Sequence, residues 1–136
     1  MAQPDQPALT ATEVAALDGL DDWTYVLGTL QGGYTCPSFE SAAELTSAII
    51  DAADAAGHHP DIDLRYPGTL LIRLQTHAIG EVSELDVELA RTITALAAAA
   101  GATAVERPVQ ALEIAFDVLE GSRIRPFWEA VLDYQY

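Results

Sequence analysis

The chain is poor in cysteine and in basic residues. Its 136 residues include one cysteine, Cys36, and 6 lysines and arginines against 21 aspartates and glutamates. A single cysteine excludes an intramolecular disulfide and a cysteine-rich zinc site, which fits a reducing, cytoplasmic environment. The formal charge of -15 repels phosphate backbones, so we expect no direct binding of nucleic acid.

Long apolar runs are missing as well. The opening residues, MAQPDQPALT, contain no basic residue and no apolar run, so they do not look like a secretory signal. No uninterrupted apolar segment approaches the roughly 20 residues that a helix needs to cross a bilayer. Since 50% of the residues are hydrophobic, the chain can still fill one core. We therefore expect a soluble domain that does not contact a membrane.

Helical spacing of apolar residues recurs three times before Gly101. Each of these segments begins near a Ser or Thr followed three residues later by an acidic residue, the spacing of a capping box. The three boxes are Thr10–Glu13, Ser41–Glu44 and Ser83–Asp86. The middle helix is expected from about Phe39 to Ala56, where Gly57 ends it.

Two β-hairpins are predicted between these helices. Gly32-Gly33 is expected to form the turn of the first hairpin, and Pro67-Gly68 that of the second. The resulting order is α-β-β-α-β-β-α. Because each amphipathic helix must cover an apolar surface, this order predicts a two-layer α+β fold. Its four-stranded antiparallel sheet would be covered on one face by helices.

A C-terminal extension follows this unit. Alternating apolar residues predict a strand over 109–118, and helical spacing predicts a helix over 122–136, with Pro126 in its first turn. We divide the chain accordingly into a domain of residues 1–104 and an extension of residues 105–136.

The three histidines are placed unusually. His58 and His59 are adjacent, and His77 follows a strand's length later. Adjacent residues of a regular strand point to opposite faces, so the pair can converge only at an irregular junction, which Gly57 and Pro60 supply. A hairpin brings its two ends together, so all three imidazoles can reach one pocket. A solvated loop pair, acid/base chemistry, and a Zn or Fe site completed by Asp61 or Asp63 all remain open.

A wider pattern surrounds these histidines. Its members are Trp23, Asp54-Ala-Ala-Gly-His58-His59-Pro60-Asp61, Tyr66, Thr76-His77 and Ser83-Glu-Leu-Asp86. Together they resemble the pterin-4a-carbinolamine dehydratase family over residues 9–93. The chain departs from that family at Gly80-Glu81-Val82, where glycine followed by Leu or Ile is usual. It also has Asp54 where Glu is common, and both departures bear on substrate preference.

The resemblance implies a function and a set of site residues. The reaction would be dehydration of a 4a-hydroxytetrahydropterin, with His58, His77 and Asp86 as catalytic residues. The expected substrate-binding residues are His59, Asp54, Trp23, Pro60 and Thr76. Asp86 also suits a helix N-terminus, and Trp23 also suits a core. The family needs no metal and no cofactor.

The resemblance also implies partners. We expect a pterin substrate, a homodimer or homotetramer, and a place beside an aromatic amino-acid hydroxylase in tetrahydrobiopterin metabolism. Family members can act instead as non-catalytic factors that bind protein partners, which is the alternative from a different functional class.

The extension has a resemblance of its own. The segments Glu113-Ile-Ala-Phe-Asp117 and Arg125-Pro-Phe-Trp-Glu-Ala-Val-Leu-Asp-Tyr134 resemble the opening strand and helix of a glyoxalase-like (vicinal-oxygen-chelate) domain. Such a domain needs further strands and metal ligands, so we expect no glyoxalase activity and expect the chain to be the first part of a longer protein. The alternative is a private extension that packs on the first domain, or on a neighbouring subunit, through Phe116, Phe127 and Trp128.

Overall fold

One antiparallel sheet and its helices make up the fold. The computed structural model describes residues 6–106, 111 and 117–132. In chain order its elements are α1 (Ala11–Ala15), β1 (Trp23–Val26), β2 (Thr29–Thr35), α2 (Phe39–Ala56), β3 (Asp61–Arg65), β4 (Thr69–Leu74), α3 (Glu84–Ala99), β5 (Thr103–Ala104) and α4 (Gly121–Leu132). The strand order is β1-β2-β4-β3, and β5 pairs with the end of β2 on the same edge as β1. No helix in these ranges is both long and apolar enough to span a membrane.

The core lies between one face of the sheet and helices α2 and α3. Antiparallel pairing places Leu30 beside Leu74 and Tyr34 beside Leu70, and all four side chains are buried. The buried residues of α2 are those at the predicted helical spacing, Ala42, Leu45, Ile49 and Ala53. The predicted α+β fold is confirmed. The structure adds one strand that was not predicted, β5, which is only two residues long.

The predicted turn of the first hairpin is wrong. The chain reverses at Leu27-Gly28, whose φ angles of 47° and 74° are both positive, as a two-residue hairpin loop requires. Gly32 and Gly33 lie inside β2 instead, and Gly32 pairs with Trp23. A Cβ on Gly32 would lie 3.0 Å from atoms of the Trp23 ring. Glycine at position 32 therefore makes room for an indole and does not form a turn.

The helix starts are mostly as predicted. The capping boxes at Thr10 and Ser83 are both present. Helix α2 is capped by Ser38, whose hydroxyl accepts from the backbone N–H of Ser41, so the box expected at Ser41 is wrong by one turn. The second hairpin has its turn at Pro67-Gly68 between β3 and β4, as predicted.

The C-terminal predictions fall partly outside the described residues. Most of the predicted strand over 109–118 lies there, and residues 117 and 118 are not in a strand. Helix α4 begins one residue before the predicted start, which places Pro126 beyond its first turn. The side chain of Phe127 on α4 is exposed.

Candidate active site

The three histidines lie near two neighbouring strand ends, at one end of the sheet. Asp61, the first residue of β3, pairs with Arg73 near the end of β4. The start of β3 and the end of β4 are therefore neighbours. His58 and His59 precede β3, from which only Pro60 separates them, and His77 follows β4 by three residues. The sequence argument that the hairpin ends approach each other is thus supported by the strand register.

His58 is positioned by the C-terminus of α2. Gly57 adopts the left-handed conformation, with φ of 62°. The backbone N–H of His58 donates to the carbonyl of Ala53, and that of Gly57 to the carbonyl of Asp54. These two bonds form a Schellman motif, which fixes the chain where it leaves the helix. The His58 ring is directed inward, and only 9% of the residue is exposed.

Asp86 is the buried partner of His58. Its Oδ1 lies 2.6 Å from His58 Nε2, and the residue is fully buried. Its Oδ2 accepts from the Thr76 hydroxyl at 2.7 Å and from the Ser83 backbone N–H at 2.8 Å. Since Thr76 uses its one hydroxyl proton on Asp86, Ser83 is the donor in the 2.6 Å bond between the two hydroxyl groups. Both carboxylate oxygens of Asp86 and both hydroxyl groups are thus hydrogen-bonded.

The hydrogen bonds decide the charge of Asp86. Burial is the largest single influence and by itself raises the pKa of the carboxyl group, but the bonds from His58, Ser83 and Thr76 together hold that pKa below its usual range. Asp86 is therefore ionised at neutral pH and can only accept. It follows that His58 Nε2 carries a proton, and that the neutral ring has its lone pair on Nδ1.

The Nδ1 atom of His58 is available for chemistry. In the described part of the chain, no protein group forms a hydrogen bond with it. The negative charge of Asp86 compensates the positive charge that the ring acquires when Nδ1 accepts a proton. Through Nδ1, this arrangement can chemically accept or donate a proton.

The other two histidines are exposed. His59 Nε2 lies 2.8 Å from Asp54 Oδ1, with 61% and 67% of the two side chains exposed. A pair this exposed contributes little to stability. His77 is exposed as well, and Pro60 between the pair and β3 is half-buried. His59, Asp54 and His77 therefore present polar atoms at the surface, where a ligand can reach them.

Two of the residues predicted to contact the substrate, Trp23 and Thr76, form hydrogen bonds inside the protein. Trp23 is buried beside Tyr34, and its indole N–H donates to Thr94 of α3 at 3.0 Å. Thr76 donates to Asp86, as described above. A contact of either residue with substrate stays a prediction. Ser83 was recognised from the sequence only as a helix cap, because nothing local shows that its hydroxyl also meets Thr76.

The carboxylates considered as metal ligands have other partners. Asp61 bonds to Arg73, and Asp63 bonds to Arg65. Over residues 6–106, 111 and 117–132, no three His, Cys, Asp or Glu side chains are grouped so that they could hold a metal ion.

The chain matches a known family. A family model described as pterin 4 alpha carbinolamine dehydratase matches residues 7–96. Two relatives bear the name "Putative pterin-4-alpha-carbinolamine dehydratase". The protein from Nocardia farcinica is 40% identical over 82 residues, which cover 60% of this chain and 85% of the relative. The protein from Herpetosiphon aurantiacus is 41% identical over 85 residues, covering 62% and 88%.

A solved structure is similar in fold. It is the crystal structure of a transcriptional coactivator/pterin dehydratase from Brucella melitensis, with a TM-score of 0.62 and 29% identity. The match covers 67% of this chain and 99% of that one. The family match over residues 7–96 includes strands β1 to β4, helix α2 and the start of helix α3, which carry the candidate site.

Proposed function

Because the chain belongs to the pterin-4-alpha-carbinolamine dehydratase family, we propose that it converts a 4a-hydroxytetrahydropterin into a quinonoid dihydropterin and water. The observation that carries this proposal is the buried pair of His58 and Asp86, with Nδ1 of the histidine left available. Such a pair can accept or donate a proton through Nδ1, which is what this reaction requires.

The dehydration needs two proton transfers. The bond between C4a and the hydroxyl oxygen breaks as that oxygen receives a proton and leaves as water. The proton on N5 is removed, and the electron pair of the N–H bond forms the double bond between N5 and C4a. In this proposal His58 and His77 are the acid and the base, with His58 acting through Nδ1 whichever transfer it performs. An imidazole can both donate and accept a proton, so the residue type suits both tasks.

The remaining site residues bind and orient. Asp86 holds the His58 ring in one tautomer, as its contacts support. His59 and Asp54, which bond to each other at the surface, would contact polar atoms of the pterin ring. The proposal includes no metal and no cofactor. It places the protein in the cytoplasm, beside an aromatic amino-acid hydroxylase that supplies the substrate.

Turnover of a freshly generated carbinolamine tests this function. We expect wild-type protein to accelerate dehydration above the uncatalysed rate in a weakly buffering solution, and the double variant His58→Ala, His77→Ala to fall to that rate. Loss of wild-type activity on treatment with a chelator would instead support a metal site. Wild-type protein at the uncatalysed rate would contradict the enzyme and favour the partner-binding alternative, since the Brucella melitensis structure is described as a coactivator as well as a dehydratase.

We also propose that the protein is a homodimer or homotetramer. Strand β3 pairs only with β4 among the described strands, so its outer edge offers unpaired backbone groups to another chain. Light scattering at micromolar concentration is expected to give two or four times the monomer mass. A monomer mass throughout that range would contradict the proposal.

The division into residues 1–104 and 105–136 remains a proposal. The family match ends at residue 96, and β5, which pairs with β2, ends at Ala104. Both observations support a boundary near residue 104. The glyoxalase-like resemblance of the extension is carried by its sequence alone.

A further inference from the structure

His77 differs from the other two histidines in how it is positioned. His58 and His59 each bond to a carboxylate. In the described ranges, no hydrogen bond holds the His77 ring, which is exposed. The placement of this imidazole therefore depends on the backbone of its own loop.

That loop, residues 76–81, is closed on itself. The backbone N–H of Thr76 donates to the carbonyl of Glu81, and the N–H groups of Ile79 and Gly80 both donate to the carbonyl of Thr76. At its start the loop is also attached to the buried cluster, because the Thr76 side chain donates to Asp86. His77 follows Thr76 directly, so the backbone at the start of the loop is fixed one peptide unit away from His77.

The outer end of the loop is fixed by Gln75. The side-chain NH₂ group of Gln75 donates to the carbonyl of Gly80 at 2.9 Å and to the carbonyl of Gly28 at 3.2 Å. One amide therefore joins both ends of the loop to the turn between β1 and β2. The approach is close, since a Cβ on Gly28 would lie 2.7 Å from Glu81 Oε2.

A second contact joins the same two segments. The Tyr25 hydroxyl on β1 donates to Glu81 Oε2 at 3.2 Å. This bond is exposed, whereas Gln75 makes two bonds at once, of which the bond to Gly28 is partly buried. Gln75 is thus the main polar connection between the loop and the turn.

We propose that Gln75 is a positioning residue for His77, which holds the loop of residues 76–81 against the β1–β2 turn so that the His77 imidazole meets the substrate in one place. The proposal rests on the proposed dehydration, in which His77 transfers a proton. Misplacement of a reacting group by about 1 Å can cost up to about 10²-fold in rate. Loss of this connection is therefore expected to lower kcat more than it weakens substrate binding.

Substitution by leucine removes both donors at similar volume. We expect Gln75→Leu to lower kcat about tenfold and to change KM by less than about twofold. Amide hydrogen exchange at Ile79 and Gly80 should accelerate, while the amides of α2 and α3 keep their protection. Gln31→Leu is the matched control, because Gln31 is also half-buried in the sheet and makes one local bond, to Thr29. Gln75→Asn, which keeps the amide but shortens its reach, is a second variant with the same expected result.

A double-variant comparison separates positioning from general damage. If Gln75 acts through His77, then Gln75→Leu should lower kcat in wild-type protein but have no further effect in His77→Ala. Equal losses in both backgrounds, or an unchanged kcat in Gln75→Leu and Gln75→Asn, would overturn the proposal while leaving the dehydration intact. Wild-type protein without turnover above the uncatalysed rate would overturn the dehydration, and the positioning role with it.

Discussion

Replacing His77 with alanine is expected to lower kcat by about 10² to 10⁴, the usual contribution of one positioned proton-transfer group. KM should change little, because the lost interaction is made in the transition state. The fold should be retained, since the exposed His77 ring holds no described hydrogen bond. Steady-state rates, corrected for the uncatalysed reaction, measure both constants.

His58 requires a more careful substitution. His58→Ala should lower kcat in the same range, but it also removes one donor from the buried carboxylate of Asp86, which destabilises the domain. His58→Gln offers an amide donor to Asp86 and no imidazole, so it should lose activity with a smaller loss of stability. Thermal unfolding of both variants separates the two effects.

His59→Ala provides the contrast within the same loop. His59 is exposed and would bind the pterin, so its loss should raise KM more than it lowers kcat. Release of a bound metal by all three alanine variants together would indicate a metal site. Retained turnover in the double variant His58→Ala, His77→Ala would contradict the proposed roles.

The largest effect on stability is expected at Asp86. Asp86→Asn replaces an acceptor with a group whose NH₂ faces existing donors, and so disrupts the cluster of His58, Thr76 and Ser83. Each buried donor left without an acceptor typically costs about 1–3 kcal/mol. Denaturant unfolding at pH 7 should show a loss of this order. Asp63→Asn is the control, since Asp63 is half-exposed and pairs with Arg65 at the surface, where such pairs contribute about 0–1 kcal/mol.

The Asp86 carboxylate should also make the free energy of unfolding depend on pH in the acid range. Its pKa is lowered in the folded protein, so its stabilising contribution is complete above the unfolded-state value of about 3.9. That contribution is lost as the pH falls below that value and through the lower folded-state pKa. Between these two values, the free energy of unfolding should fall more steeply with decreasing pH for wild-type protein than for Asp86→Asn. Parallel curves for the two proteins would contradict this assignment.

Local sequence determined the elements of this fold. The boxes at Thr10 and Ser83 begin helices because their bonds join residues three apart, and the apolar spacing of α2 selects its buried face. The wrong turn in the first hairpin has a tertiary reason. Gly32 lies within a strand because the Trp23 ring occupies the space a side chain would take, and no property of Gly32-Gly33 alone reveals that neighbour.

The candidate site, too, was predicted from the sequence only in part. The pattern around His58, His59 and His77 predicted the family and the end of the sheet where the candidate site lies. Only the tertiary structure showed which histidine Asp86 holds, that Trp23 contacts α3, and that Gln75 joins the His77 loop to a distant turn. Capping and helical spacing act between residues a few positions apart, so the sequence displays them directly. His58 and Asp86 are 28 residues apart, and their contact exists because sheet pairing and helix packing bring the end of α2 to the start of α3.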